Sequence, residues 1–227
     1  MTYLLAFIAL ALLLYGPQIW VGRVLQRYNR QDEDNFPGTG GELARHLLKR
    51  FNLEDVNVEI TELGDHYDPE SRTVRLTADK FNGRTLTAIT VAAHECGHAL
   101  QHALNEPLFI WRTRLARTVA WAQKFGSFLL FAAPILGLIT RAPSAAVINI
   151  IGAFLMIGFA VVVQLVTLPV ELDASFNKAM PILKDGYLKE NQQVGAKRIL
   201  KAAAWTYVAS ALASLLNFWR WLAVLRR

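Results

Sequence analysis

What most constrains this chain is where its apolar residues fall: they collect in four blocks instead of being spread evenly. The first runs from Met1 to Gly22 and meets no charged side chain until Arg23, and the second covers about Trp121 to Thr140, with Lys124 near its start. The third, Ala142 to Val170, is the longest charge-free run, and the fourth, Ala202 to Trp219, is followed by Arg220, Arg226 and Arg227. A helix that crosses a bilayer needs roughly 20 predominantly apolar residues, so each block is a candidate span. Trp20, Trp121, Trp205, Trp219 and Trp221 lie near block ends, as expected where a span meets water. The expected architecture is mainly α, with four transmembrane helices. Met1-Thr2-Tyr3 lacks the basic start of a cleaved signal and no A-x-A-like site follows the apolar run, so residues 1–22 read as an uncleaved anchor.

The formal net charge of +6 raises the question of nucleic acid. The cations argue for a lipid bilayer as the partner instead, because they flank the blocks. Arg23, Arg27 and Arg30 follow the first, Arg112, Arg114 and Arg117 precede the second, and the connection between the second and third offers only Arg141. Lys178, Lys184, Lys189, Lys197, Arg198 and Lys201 lie between the third and fourth. The positive-inside rule then puts both long connections in the cytoplasm. Cys96 is the single cysteine, which excludes an intramolecular disulfide.

The polar stretch from about Gln31 to Pro107 reads as a small α+β region inserted between spans one and two. It opens on an acidic, turn-rich linker, Asp32 to Gly38, after which Thr39 stands three residues before Glu42 in a capping-box pattern. Leu43, Leu47 and Phe51 follow at helical spacing, predicting a helix over Glu42 to Phe51. Val56, Val58 and Ile60, then Val74 and Leu76, alternate with polar residues and predict two antiparallel strands around a turn-rich segment. The strand near Val74 to Leu76 could take an extended substrate by strand addition. From Thr85 to Leu104 the residues are mostly small or apolar and predict a buried helix.

That helix carries His94-Glu95-Cys96-Gly97-His98. Residues four apart project from one helix face a single turn apart, a separation at which two imidazoles can share one Zn²⁺. Glu95, beside the first histidine, can take a proton from a zinc-bound water. A catalytic zinc wants a third protein ligand and an open position. His102 continues the four-residue series, but eight residues along a straight helix is about 12 Å, too far for one ion to join both ends. Glu171, where the third block ends, is the favoured third ligand, since an ionisable group at that depth marks a functional site. Asp173 is its alternative, either as ligand or as a group orienting a ligand histidine. Cys96, two positions from His94, points away from the metal. His66 or Tyr67 could supply a hydrogen-bond donor.

Asp65-His66-Tyr67-Asp68-Pro69, the run from Ala93 to His102, and Leu168-Pro169-Val170-Glu171-Leu172-Asp173-Ala174-Ser175 together resemble the bacterial YugP-type neutral zinc metallopeptidases, over most of the chain. More distantly, the layout is similar to HtpX-type and CAAX prenyl membrane proteases, in which a Glu on a later helix completes the site and an Asp four residues on supports it. Here Ser175 stands four after Glu171, and Asp173 two after. The resemblance implies a zincin-like region over residues 31–107, with three further membrane helices and the third ligand within 118–227. It implies a membrane-embedded metalloendopeptidase of the bacterial cytoplasmic membrane, holding one zinc per chain and cutting proteins or peptides at the cytoplasmic face. The competing expectation is a catalytically silent, zinc-binding membrane scaffold, for which Glu95 would be superfluous.

Overall fold

Two threonines set the helix starts that matter for the site. In the computed structural model, which describes residues 2–30, 36–140, 147, 151, 152, 162, 163 and 165–225, Thr39 closes the predicted capping box. Its Oγ1 accepts from the Glu42 N–H (3.2 Å), and its own N–H donates to Glu42 Oε2 (2.8 Å). Thr85 Oγ1 likewise accepts from the Ala88 N–H (3.1 Å). The elements run α1 (Thr2–Arg27), α2 (Gly40–Arg50), β1 (Asn57–Ile60), β2 (His66–Asp68), β3 (Thr73–Leu76), α3 (Ala78–Phe81), α4 (Leu86–Ala103) and α5 (Pro107–Thr140). A helical stretch over 165–172 then enters a π-helical segment, α6 (Asp173–Ala179), followed by α7 (Met180–Lys184) and α8 (Glu190–Leu225).

The chain divides into two compact units. The first comprises residues 1–110 and 168–206 and holds the sheet; the second, 111–167 and 207–227, is helical wherever it is described. In the first unit the apolar centre gathers Leu47 of α2, Val74 and Leu76 of β3, Leu183 of α7 and Ile199 of α8 around α4. Small residues on α4 allow this burial: Ala88, Ala92 and Ala93 are fully enclosed. Gly97 does more, since a Cβ there would lie 2.9 Å from the Ala174 carbonyl oxygen and 3.3 Å from Lys178 Cβ. Its missing side chain brings α4 and α6 together.

The sheet differs from the antiparallel pair expected. It has three strands in the order β1-β3-β2; β3 runs parallel to β1 and antiparallel to β2. The added strand, β2, lies inside the segment read as a turn, where Gly64, Asp65, Asp68 and Pro69 mask a three-residue alternation with Tyr67 buried between two partly exposed neighbours. Because β3 is central and paired on both sides, it has no edge left for a substrate strand.

The four-span architecture is corrected. Among the described residues, no helix is long and apolar enough to cross a membrane. The second block belongs to α5, which also carries Arg112, Arg114, Arg117 and Lys124, and the fourth belongs to α8, with Lys197, Arg198, Lys201 and Arg220. Gln18, Arg23, Gln26 and Arg27 punctuate the end of α1. The third block lies for the most part outside the described residues, as do Asp32 to Asn35, Arg141, Arg226 and Arg227.

The turn from β2 to β3 is held by Asp68, whose carboxylate accepts from the Glu70 N–H (2.9 Å), Ser71 Oγ (2.8 Å) and Arg75 Nη1 (2.7 Å). Burial opposes its ionisation, but Arg75, Ser71 and the Glu70 amide prevail and bring the carboxyl down from 3.8 to about 2. A folded value below the unfolded one means the stabilisation is complete above the ordinary aspartate range and is lost as pH falls from there through about 2. Acid titration of folding should therefore show this limb in the wild type, and Asp68→Asn should flatten it. Gly97→Ala should cost about 1–3 kcal/mol in denaturant unfolding, through overpacking against α6. Gly22→Ala in α1, where a Cβ meets nothing within 4 Å, should be neutral or stabilising by up to about 1 kcal/mol.

Candidate metal centre

An apolar helix that buries polar side chains must find partners for them, since an unpaired buried polar group is costly. On α4, His94, Glu95, His98 and Gln101 are all buried. The two imidazoles stand edge to face, ring centres 4.7 Å apart. Between them comes the carboxylate of Glu171, which is 1% exposed. Its Oε2 lies 3.2 Å from His94 Nε2 and 3.3 Å from His98 Nε2. Burial disfavours the charged carboxylate, yet the His98 and His94 rings outweigh that and hold the Glu171 carboxyl well below its ordinary range. Among the described residues, these three form the one His/Cys/Asp/Glu group whose donor atoms converge as a metal site requires, all within 4.8 Å of one another.

The donor set fits zinc. Ligand atoms at about 2.0–2.2 Å from a tetrahedral Zn²⁺ are about 3.3–3.5 Å apart, close to the nitrogen–oxygen spacings here. Two imidazole nitrogens and one carboxylate oxygen also suit the ion chemically and leave a fourth position for water or substrate.

Each histidine of the group is held from behind. His94 Nδ1 meets Ser175 Oγ of α6 (3.2 Å), and His98 Nδ1 meets Gln101 Oε1, one turn along α4 (2.9 Å). Gln101 Nε2 donates to the Val170 carbonyl (3.0 Å) and to Asp173 Oδ2 (2.8 Å). That contact falls where the helical ladder changes to π, a local change of register common at functional sites.

The structure thus brings Glu171 to the histidine pair, and neither alternative. Asp173 reaches Gln101. His102 lies one turn beyond His98, where its Nδ1 meets the Tyr67 hydroxyl of β2 (2.9 Å). Burial pushes the Tyr67 phenol up to about 12, which keeps it protonated. His66 turns its Nδ1 to the Gly64 carbonyl (2.8 Å). Cys96 faces away from the metal-binding group, its Sγ 3.7 Å from the Ala44 carbonyl oxygen, and burial pushes its thiol up. Asp65 ties the sheet to α3: it accepts from the Thr77 N–H (2.7 Å) and pairs with Lys80 (3.3 Å). In the Asp65–Pro69 run, then, the two aspartates hold the scaffold and Tyr67 reaches α4.

Fold and site together define a mainly helical protein with a small sheet and one buried group of two histidines and a carboxylate that could hold a metal ion. Residues 3–226 match the family described as "Putative neutral zinc metallopeptidase", and the chain belongs to that family. It is 35% identical over 225 residues to "Putative membrane protease YugP" of Bacillus subtilis (strain 168), with 96% of each chain covered. No solved structure matches it.

The ligand set makes a direct prediction for metal content. Purified Glu171→Ala should lose zinc on dialysis, while His102→Ala should keep as much as wild type; elemental analysis of the three proteins distinguishes them.

Proposed function

We propose that this chain is a zinc-dependent endopeptidase working at a membrane, with His94, His98 and Glu171 holding one zinc ion and Glu95 serving as the general base. The observation that carries the reading is the convergence of one buried carboxylate oxygen on two Nε2 atoms at 3.2 and 3.3 Å. Family membership supports the peptidase chemistry, and the name of the Bacillus subtilis relative supports the membrane setting. The likeness to HtpX-type and CAAX prenyl proteases belongs to the same reading, with Ser175 standing where those have an aspartate.

Zinc, when bound, supplies Lewis acidity toward a scissile carbonyl and lowers the pKa of a water. The chain's own groups do the rest. Glu95, buried and next to His94, takes the proton of the attacking water and returns it to the departing amine. Ser175 and Gln101 fix the two imidazoles. The outer edge of β2, the strand that sends Tyr67 to His102 on α4, offers an extended substrate a strand to pair with. A silent scaffold has no use for Glu95, and a purely structural zinc site closes with four protein ligands.

Glu95→Gln is the decisive variant. It should retain near-stoichiometric zinc while hydrolysis of a quenched peptide or casein falls by about 10²–10⁴. Cleavage that survives this substitution would remove Glu95 from the mechanism.

A further inference from the structure

We infer that Gln101 sets the tautomer of His98 and is thereby a positioning residue of the metal centre, held in place by Asp173; this rests on His94, His98 and Glu171 being the zinc ligands. Gln101 is 1% exposed, so its amide must be satisfied by protein groups. An amide NH₂ has two hydrogens, and two acceptors use them: the Val170 carbonyl at 3.0 Å and Asp173 Oδ2 at 2.8 Å. Reversing the amide would turn its oxygen onto a carbonyl and a carboxylate, three acceptors with no hydrogen among them. The amide therefore has one tolerable orientation, with Oε1 toward His98 Nδ1 at 2.9 Å.

A carbonyl oxygen only accepts, so the hydrogen of that contact belongs to His98 Nδ1. A neutral imidazole protonated at Nδ1 carries its lone pair on Nε2. Nε2 is the atom 3.3 Å from Glu171 Oε2, on the metal side of the ring. Gln101 thus keeps a hydrogen on Nδ1, so that Nε2 is the nitrogen that gives up its proton to an ion. His94 is held more loosely, because the Ser175 hydroxyl at its Nδ1 can donate or accept and permits either tautomer.

Asp173 is itself braced. Its Oδ1 accepts from Asn177 Nδ2 (2.8 Å), and Lys178 Nζ lies 3.4 Å from its Oδ2 and 2.6 Å from Glu106 Oε1. A polar chain therefore runs from Glu106, just before α5, through Lys178 and Asp173 of α6 to Gln101 and His98 of α4. It explains why a polar residue fills a position on α4 that packing alone would give to leucine.

The test sets zinc affinity against folding in the purified full-length chain, by chelator competition and by thermal melting of the metal-free protein. Gln101→Leu suits an apolar interior but removes the acceptor, whereas Gln101→Glu keeps an acceptor toward His98 and sets a carboxyl against Asp173. The expected orders are opposite. Gln101→Leu should weaken zinc binding about 10–100-fold yet melt above Gln101→Glu, which should bind zinc several-fold more tightly than the leucine variant. Should the core substitutions fail to fold, the partly exposed Asp173 offers a second pair: Asp173→Leu should weaken zinc several-fold, and Asp173→Asn, whose carbonyl still accepts from Gln101, should restore it. Zinc affinities that simply follow melting temperature, or wild-type affinity in Gln101→Leu, would overturn the inference. Unchanged affinity in His98→Ala would overturn the metal centre itself, and the role of Gln101 with it.

Discussion

The carboxylate of Glu171, set between two imidazoles in an apolar interior, is the interaction on which the rest of the first unit depends. A lone carboxylate at 1% exposure would be costly by several kcal/mol, and the rings of His94 and His98 offset that cost. To bring the three together, α4 must be thin enough for close approach. Gly97 supplies the narrow point, with the Ala174 carbonyl where a Cβ would stand. The change to π geometry at α6 then lets Glu171, Asp173 and Ser175 all reach groups on α4, although they span only five residues.

Around this centre the polar contacts form layers instead of a single ring. Ser175 and Gln101 back the imidazoles, Asp173 backs Gln101, and Lys178 bridges Asp173 to Glu106. On the other side, Phe109 lies under three rings, 6.1 Å from His98, 5.5 Å from His102 and 6.4 Å from Tyr67. The sheet contributes through β2, whose one buried side chain, Tyr67, reaches this cluster. A small scaffold thus fixes the metal-facing side of α4 from two directions.

Much of the local structure was legible because it depends on neighbours in sequence. The capping box at Thr39, the start of α4 at Thr85 and the one-turn pairing of His94 with His98 all follow from short spacings. Glu171 stood out as a carboxylate at the end of an apolar run, and the structure brings it to the rings. The four-span reading rested on the composition of the apolar blocks and the charges between them, whereas among the described residues no helix is long and apolar enough to cross a membrane. The third strand was hidden by turn-forming residues on both sides of Tyr67. The role of Gln101 could not be read from its spacing to His98 alone, since its amide orientation is decided by Val170 and Asp173, 69 and 72 residues away.

The central claim, a metal held by two histidines and a carboxylate, is tested most directly by zinc K-edge X-ray absorption on the purified, zinc-loaded chain. The structure predicts about four nitrogen or oxygen neighbours at about 2.0–2.2 Å, with the outer-shell scattering of two imidazoles. A sulfur neighbour at about 2.3 Å, which only Cys96 or a methionine could supply, or the absence of imidazole scattering, would contradict it.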